Sequence, residues 1–318
     1  MDNFEMTIRP KTLDEYIGQS EMKNNLAIFM QAAKMRNQVL DHVLLYGPPG
    51  LGKTTMAYII ANEMDSQIRT ISGPTIEKIG DIASVLSSIE EGDIVFIDEI
   101  HRIPKFVEEV LYSAMEDFFI DIMIGGEGNS RSVRIEIPNF TLVGATTRFG
   151  DLTGPLRDRF GIVAKLDYYS DIELMQIVTR TSKVLDVMIT KEAIKILASR
   201  SRGTPRVSNR LFKRVSDFAL VLGTGSIEKD ICNLALEKMQ VDRMGLDNTD
   251  YNLLKSIIEK FNGGPVGIEA IAASIGEEVT TIEDVHEPFL LQHGLLKRTV
   301  RGRCATNKAY EHLGIKKE

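Results

Sequence analysis

Residues 47–54 read Gly-Pro-Pro-Gly-Leu-Gly-Lys-Thr, and no other run constrains the fold of this chain so tightly. Val43, Leu44, Leu45 and Tyr46 precede it as a short buried strand, and residues 55–63 follow as the opening of a helix. Strand, glycine turn and helix in that order form a phosphate-binding loop. Its glycines let successive backbone N–H groups curl around an anion, and the helix N-terminus adds the positive end of its dipole. In such a loop Lys53 reaches the β- and γ-phosphates while the Thr54 hydroxyl holds Mg²⁺. A chance glycine turn before a helix is the ordinary alternative, and the Lys-Thr pair with its flanking strand and helix weighs against it. The run implies a bound nucleoside triphosphate.

Residues 93–97 are β-branched or aromatic after their first aspartate, and Asp98 and Glu99 close the run. So short an apolar stretch reads as a buried parallel strand, whose C-terminal edge is where open α/β sheets bind ligands. Asp98 suits the Mg²⁺ shell, and Glu99 suits a base that polarises the attacking water. A third strand, 140–145, ends in Thr146, Thr147 and Arg148, whose hydroxyls are placed for a γ-phosphate or a water. Alternating strands and helices over 43–165 predict an α/β fold, a parallel sheet covered on both faces. Arg157 and Arg159 follow in a segment bounded by Pro155 and Gly161. They are solvated or paired with Asp158, or one is a finger presented to a neighbouring subunit's nucleotide; spacing does not choose.

Beyond residue 168 the pattern changes. Stretches 171–184, 191–200 and 207–222 carry apolar residues at helical spacing, predicting a small all-helical domain. Pro205 sets the start of the last of these helices and aims Arg206 outward from its first turn. Residues 249–260, 268–274 and 281–291 predict three more helices. Segments 295–300 and 304–306 then predict two strands around Arg301, Gly302 and Arg303. Three helices and a basic hairpin make a winged helix. Lys297, Arg298, Arg301, Arg303 and Lys308 carry its charge, with no acid between positions 288 and 310. A narrow basic wing suits sequence-independent contact with a DNA backbone or minor groove. A solvated basic loop or a protein-binding winged helix is the alternative.

Composition narrows the class. The 318 residues suggest two or three domains, and 43% hydrophobic with 26% charged residues is ordinary for a soluble protein. No apolar run approaches the ~20 residues of a membrane helix, and Met1 to Glu5 lack a basic leader. Cys232 and Cys304 lack ligand spacing and are expected as free thiols in a reducing cytosol, and the five histidines suggest no zinc site. A net charge of −7 argues against nucleic-acid binding over the whole surface, but residues 291–318 hold seven Lys/Arg against two Asp/Glu.

These pieces, in this order, resemble the AAA+ ATPases and, within them, the RuvB family of branch-migration motors. The resemblance rests on residues 47–55, 93–102, 144–148, 156–161, 203–206 and 299–303, with Arg9-Pro10 and 261–267, and covers nearly the whole chain. It implies a large ATPase domain (1–168) with an inserted β-hairpin, a helical lid (169–242) and a winged-helix DNA-binding head (243–318). It implies ATP and Mg²⁺ as cofactors. Gly50, Gly52, Lys53, Thr54 and Thr55 then belong to the phosphate loop, Thr54 and Asp98 to the metal, and Glu99 to the water. Thr147 becomes the first sensor, where many AAA+ relatives carry Asn. Arg159 is the finger in preference to Arg157, and Arg206 the second sensor. Ile8, Arg9, Glu116, Asp117, Phe118 and Tyr169 fall where the family borders the nucleotide. Arg298, Arg301 and Arg303 are implied to touch duplex DNA at a four-way junction.

Residues 119–124 and 132–137 alternate around the glycine-rich 125–130, which predicts the hairpin. An exposed hairpin costs ordering entropy unless it packs or binds. In the family it meets a RuvA-like junction-binding partner, with Val133 and Ile135 as the contact residues; packing within its own domain is the alternative. The resemblance further implies a homo-hexameric ring, a RuvC-like resolvase nearby, and a cytoplasmic location.

Overall fold

The computed structural model describes residues 3–124 and 131–316, which form two compact units. The first comprises residues 1–47 and 51–167. Its strands are β1 (Val43–Tyr46), β2 (Ile68–Ser72), β3 (Ile94–Asp98), β6 (Thr141–Thr146) and β7 (Ile162–Lys165), paired in the order β2-β3-β6-β1-β7 and all parallel. All of β6 and nearly all of β1 and β3 are buried, so the sheet is covered on both faces. That is why these strands read as continuous apolar runs without alternation. Helices Ser20–Arg36, Lys53–Glu63, Ile79–Leu86 and Lys105–Glu116 belong to this unit. Leu44, Val95, Ile97, Leu111, Phe140 and Leu142 lie in one core. His42 is a structural histidine: its Nδ1 accepts from the Leu142 amide at 2.8 Å, its Nε2 lies 3.0 Å from the Met115 carbonyl, and burial lowers its pKa.

Since the strands run parallel, the C-terminal ends of β1, β3 and β6 share one edge. Tyr46 is in register with Thr146, and Ile97 with Gly144. The phosphate loop, the two acids and the threonine pair therefore converge although about 100 residues separate them in sequence.

β4 (Phe119–Ile124) and β5 (Arg131–Glu136) pair antiparallel as a separate ribbon, one residue earlier on the second strand than alternation predicts. The 125–130 turn lies outside the described residues. Ile120 is fully buried, and Ile122 and Ile135 pack on the core of this unit. On the opposite face Arg134 pairs with Asp121 and its guanidinium sits 3.7 Å from the Phe119 ring.

The second unit comprises residues 48–50 and 168–318. Helices Asp171–Val184, Lys191–Ser199, Pro205–Leu222 and Lys229–Lys238 surround a core of Val178, Leu197, Phe212, Val215 and Leu236. The first opens on a capping box: the Ser170 hydroxyl accepts from the Glu173 amide while the Glu173 carboxylate accepts from the Ser170 amide. The fourth helix is not among those expected.

Helices Asn248–Lys260 and Ile268–Ile275, strands β8 (Leu296–Thr299) and β9 (Gly302–Ala305), and helix Asn307–Leu313 build the winged helix around Leu254, Ile257, Ile271 and Phe289. The helix expected over 281–291 is instead a run from Val279 to Gln292, widened at Ile282–His286 into a π-helix. Pro288 explains the widening: it lacks an N–H and its ring crowds the carbonyl four residues back, so the turn before it opens.

No helix among the described residues is long and apolar enough to cross a membrane.

Candidate nucleotide site and nucleic-acid interface

Helix Lys53–Glu63 begins at Gly52, and two glycines of the loop before it are sterically required. Gly47 has φ +145°, and a Cβ there would stand 2.3 Å from the Leu166 carbonyl oxygen. Gly52 has φ +100°, and its Cβ would meet the Tyr16 hydroxyl at 2.8 Å. Tyr16 donates to the Leu51 carbonyl at 3.1 Å, a brace from the N-terminal segment that the sequence pattern did not reveal. The buried Lys53 ammonium donates to the Gly47 carbonyl at 2.7 Å, curling back along its own loop. Thr55 is half-buried in the first helical turn.

Thr54 and Asp98 meet across the sheet edge, hydroxyl to carboxylate 3.4 Å. Two hard oxygens at that spacing fit a shared Mg²⁺, and the curled loop above them fits a phosphate chain. Glu99 follows with a left-handed backbone (φ 53°), its amide donating to Asp98 Oδ1 at 3.0 Å. One Glu99 oxygen lies 3.9 Å from both His101 Nε2 and Arg102 Nη1. His101 Nδ1 is 3.0 Å from the Thr146 hydroxyl, which also accepts from the Arg148 amide at 2.9 Å. Burial first, then the charges of Arg148 and Arg102, lower the His101 pKa against the opposing pull of Glu99 and Asp151. His101 thus bonds to the end of β6, where Thr147 is half-buried, and lies beside the acid that follows β3. His101 was visible only as part of the 93–102 run.

Ile8 is buried at the end of helix Asn3–Ile8, and the Arg9 guanidinium lies 4.9 Å from the Tyr58 ring on the phosphate-loop helix. Arg159 donates to the Glu116 carboxylate at 2.9 Å and to the Pro155 carbonyl at 2.7 Å, over the Tyr112 ring at 4.3 Å. Within one chain, Glu116 is thus a holder of Arg159. Asp117 is exposed, and Phe118 packs edge-on against Phe140. Arg157 instead lies 5.4 Å from the Phe149 ring.

In the second unit the Arg206 amide donates to the Gly50 carbonyl at 3.3 Å and the Arg206 side chain is exposed. Tyr169 is buried, its amide donating to the Gly203 carbonyl at 2.9 Å.

On the wing, Arg298 and Arg301 are exposed, as is Val300 at its tip. Arg303 differs from the expectation that it shares this open surface. It is 8% exposed, donating to the Glu287 carboxylate at 2.9 and 3.0 Å and to Glu283 at 3.3 Å. Its guanidinium reaches the Val279–Gln292 run, where two acids one helical turn apart receive it. The hairpin ribbon divides similarly: Ile135 packs on its own core, and Val133 remains the half-buried apolar residue of β5 outside that cluster.

A five-stranded parallel sheet with a phosphate loop and an Asp-Glu strand end, followed by a helical lid and a winged helix, defines an AAA+ ATPase carrying a nucleic-acid-binding head. The comparisons narrow this. Residues 8–166 match the Holliday junction DNA helicase RuvB P-loop domain, 169–242 the RuvB AAA lid domain, and 243–314 the RuvB C-terminal winged-helix domain. The Holliday junction branch migration complex subunit RuvB of Acholeplasma laidlawii is 59% identical over 98% of this chain and 93% of that protein. The Thermotoga maritima RuvB Holliday junction branch migration motor aligns at 51% identity with a TM-score of 0.90, covering 98% and 99% of the two chains. A point variant of that motor aligns at 52% identity, also with a TM-score of 0.90, over 97% and 99%. The chain belongs to the RuvB family.

Proposed function

We propose that this chain is the ATP-hydrolysing motor subunit for Holliday junction branch migration, serving DNA recombination and repair in the cytoplasm. The observation that carries the reading is the meeting of Lys53, Thr54, Asp98 and Thr146 on one sheet edge, in a chain that also bears the exposed Arg298 and Arg301. The large domain is residues 1–168, the lid 169–242 and the head 243–318. Thr54 and Asp98 hold Mg²⁺, which screens phosphate charge. Lys53, Gly50, Gly52 and Thr55 cradle ATP, and Ile8, Arg9, Tyr169 and Arg206 border it. Glu99 orients the attacking water, and Thr147 reads the γ-phosphate.

Arg159 serves the neighbouring subunit's nucleotide, with Glu116, Asp117 and Phe118 forming the surface that presents it. A lone subunit then lacks part of a catalytic site, so a homo-hexameric ring follows. The head holds duplex DNA through Arg298 and Arg301 by phosphate contact, with Arg303 as their internal strut. The hairpin meets a RuvA-like partner through Val133, with Ile135 anchoring its base, and a RuvC-like resolvase acts on the same junction.

ATP turnover measured alone, with duplex DNA and with four-way junctions tests this. Stimulation by DNA, greatest on junctions with the partner, is expected. Turnover indifferent to every DNA overturns the reading. A mixture of Arg159→Ala and Lys53→Ala chains is expected to regain part of the activity that each lacks. A mixture as inactive as its components removes Arg159 from action in trans.

A further inference from the structure

Arg202 precedes the 203–206 turn that carries Arg206, and its backbone is left-handed with φ 56°. Its buried side chain leaves the helical lid and enters the winged helix. There Nη1 lies 3.1 Å from Asp250 and 3.4 Å from Asp247, and Nη2 donates to the other Asp250 oxygen at 3.2 Å. The guanidinium also stacks 4.2 Å from the Phe289 ring. Asp247 and Asp250 are at the same time the capping box that starts helix Asn248–Lys260. Asp250, with no exposed side-chain surface, shares a 2.7 Å hydrogen bond with His286 Nδ1.

Asp247, Asp250 and His286 lie close enough together to hold a cation, but Arg202 already fills that position with its own charge. They form a guanidinium clamp. His286 sits in the π-helical turn that Pro288 opens, and Glu283 and Glu287, on either side of it, hold Arg303. Side-chain bonds thus run from Arg202 through Asp250 to His286, and the π turn and helix start that carry His286 also carry Glu283 and Glu287, which hold Arg303 on the strand beside Arg301.

Stability alone does not account for it. Buried ion pairs are commonly no more stabilising than apolar residues of the same volume, whereas a fully bonded buried network fixes one geometry. A bidentate guanidinium sets orientation as well as distance, which a lysine ammonium does not. Its starting point matters too, because the turn beginning at Gly203 has the Arg206 amide bonded to Gly50 of the phosphate loop.

We propose that Arg202 is a positioning residue that makes lid and winged helix a single lever, carrying displacement of the 203–206 turn to Arg298 and Arg301. This rests on the motor reading above. Loss of Arg202 then leaves both ends competent and breaks the link between them.

The test uses the full chain with its junction-binding partner. Basal ATP turnover, duplex affinity and branch-migrated product per ATP hydrolysed are measured for Arg202→Lys and for the double variant Arg202→Met, Asp250→Asn. The double variant removes charge from both partners, which keeps the head folded, and thermal unfolding verifies this. Expected are basal turnover and duplex affinity near the parent's, with product per ATP down about tenfold. Product per ATP equal to the parent's in the folded double variant overturns the proposal. So does a parallel fall of all three quantities, which is the signature of a purely structural role. If the parent itself yields no junction product, the motor reading fails, and that is seen before any variant is made.

Discussion

The phosphate-loop edge and the Arg202–Arg303 network both concentrate charge, but they complete it differently. At the edge, Asp98 faces a hydroxyl at 3.4 Å, and Glu99 stands 3.9 Å from His101 Nε2 and Arg102 Nη1. In the network each guanidinium is gripped by two carboxylates at 2.9–3.4 Å. Groups held loosely by protein are poised to exchange those contacts for a ligand, whereas groups gripped tightly are parts of the framework. Substitution in the first region should therefore cost activity, and in the second, rigidity.

The largest expected effect is at the edge. Glu99→Gln should bind ATP but turn it over roughly 10²–10⁴ times more slowly, with stability little changed. Single-turnover hydrolysis beside nucleotide binding measures both, and near-normal turnover removes Glu99 from its role. Lys53→Ala should lose nucleotide binding as well.

In the network the cost should appear in folding. Asp250→Ala strands Arg202 in a buried site and should destabilise the winged helix by about 3–5 kcal/mol in urea. Burial would raise the Asp250 pKa, but the His286 bond and the Arg202 charge prevail and hold it below the usual carboxylate range. The sign follows: its stabilisation is complete above the unfolded carboxylate value of about 3.9 and is lost as pH falls through the lower folded value. Asp250→Asn should flatten that acid-induced loss of stability, and an unchanged acid transition contradicts the assignment.

The wing places both behaviours on adjacent residues. Arg301→Ala should leave stability unchanged and make the salt dependence of duplex binding shallower by about one unit of slope, whatever the sequence. Arg303→Ala should loosen the head, because it strands Glu283 and Glu287. Equal salt slopes for the two variants would erase the distinction. The smallest effect concerns thiols. Burial pushes Cys232 up to about 11, so it should react with a thiol reagent at neutral pH far more slowly than the partly exposed Cys304.

The parallel sheet and the residues along its edge could be read from local runs, since buried parallel strands are short and continuously apolar. Residues of mixed character were harder. β2 mixes Arg69 and Thr70 into an edge strand and gave no apolar run. Helix Lys229–Lys238 buries Cys232, Ala235 and Leu236, two of them small, so its apolar face is short and weakly marked. The burial of Arg303 depends on two acids far back in sequence, yet Glu283 and Glu287, four apart ahead of a basic hairpin, were an available sign. Pro288 likewise marked the π turn. The braces from Tyr16 and His101 are contacts between distant segments, which periodicity does not encode.

A labelled four-way junction supplied with the RuvA-like partner and ATP gives the most direct measurement. The parent chain should convert it to branch-migrated products at a rate that follows ATP hydrolysis, and Glu99→Gln should bind the junction without converting it. Hydrolysis that proceeds at the full rate while the junction stays intact would contradict the claim that nucleotide chemistry in this chain drives DNA.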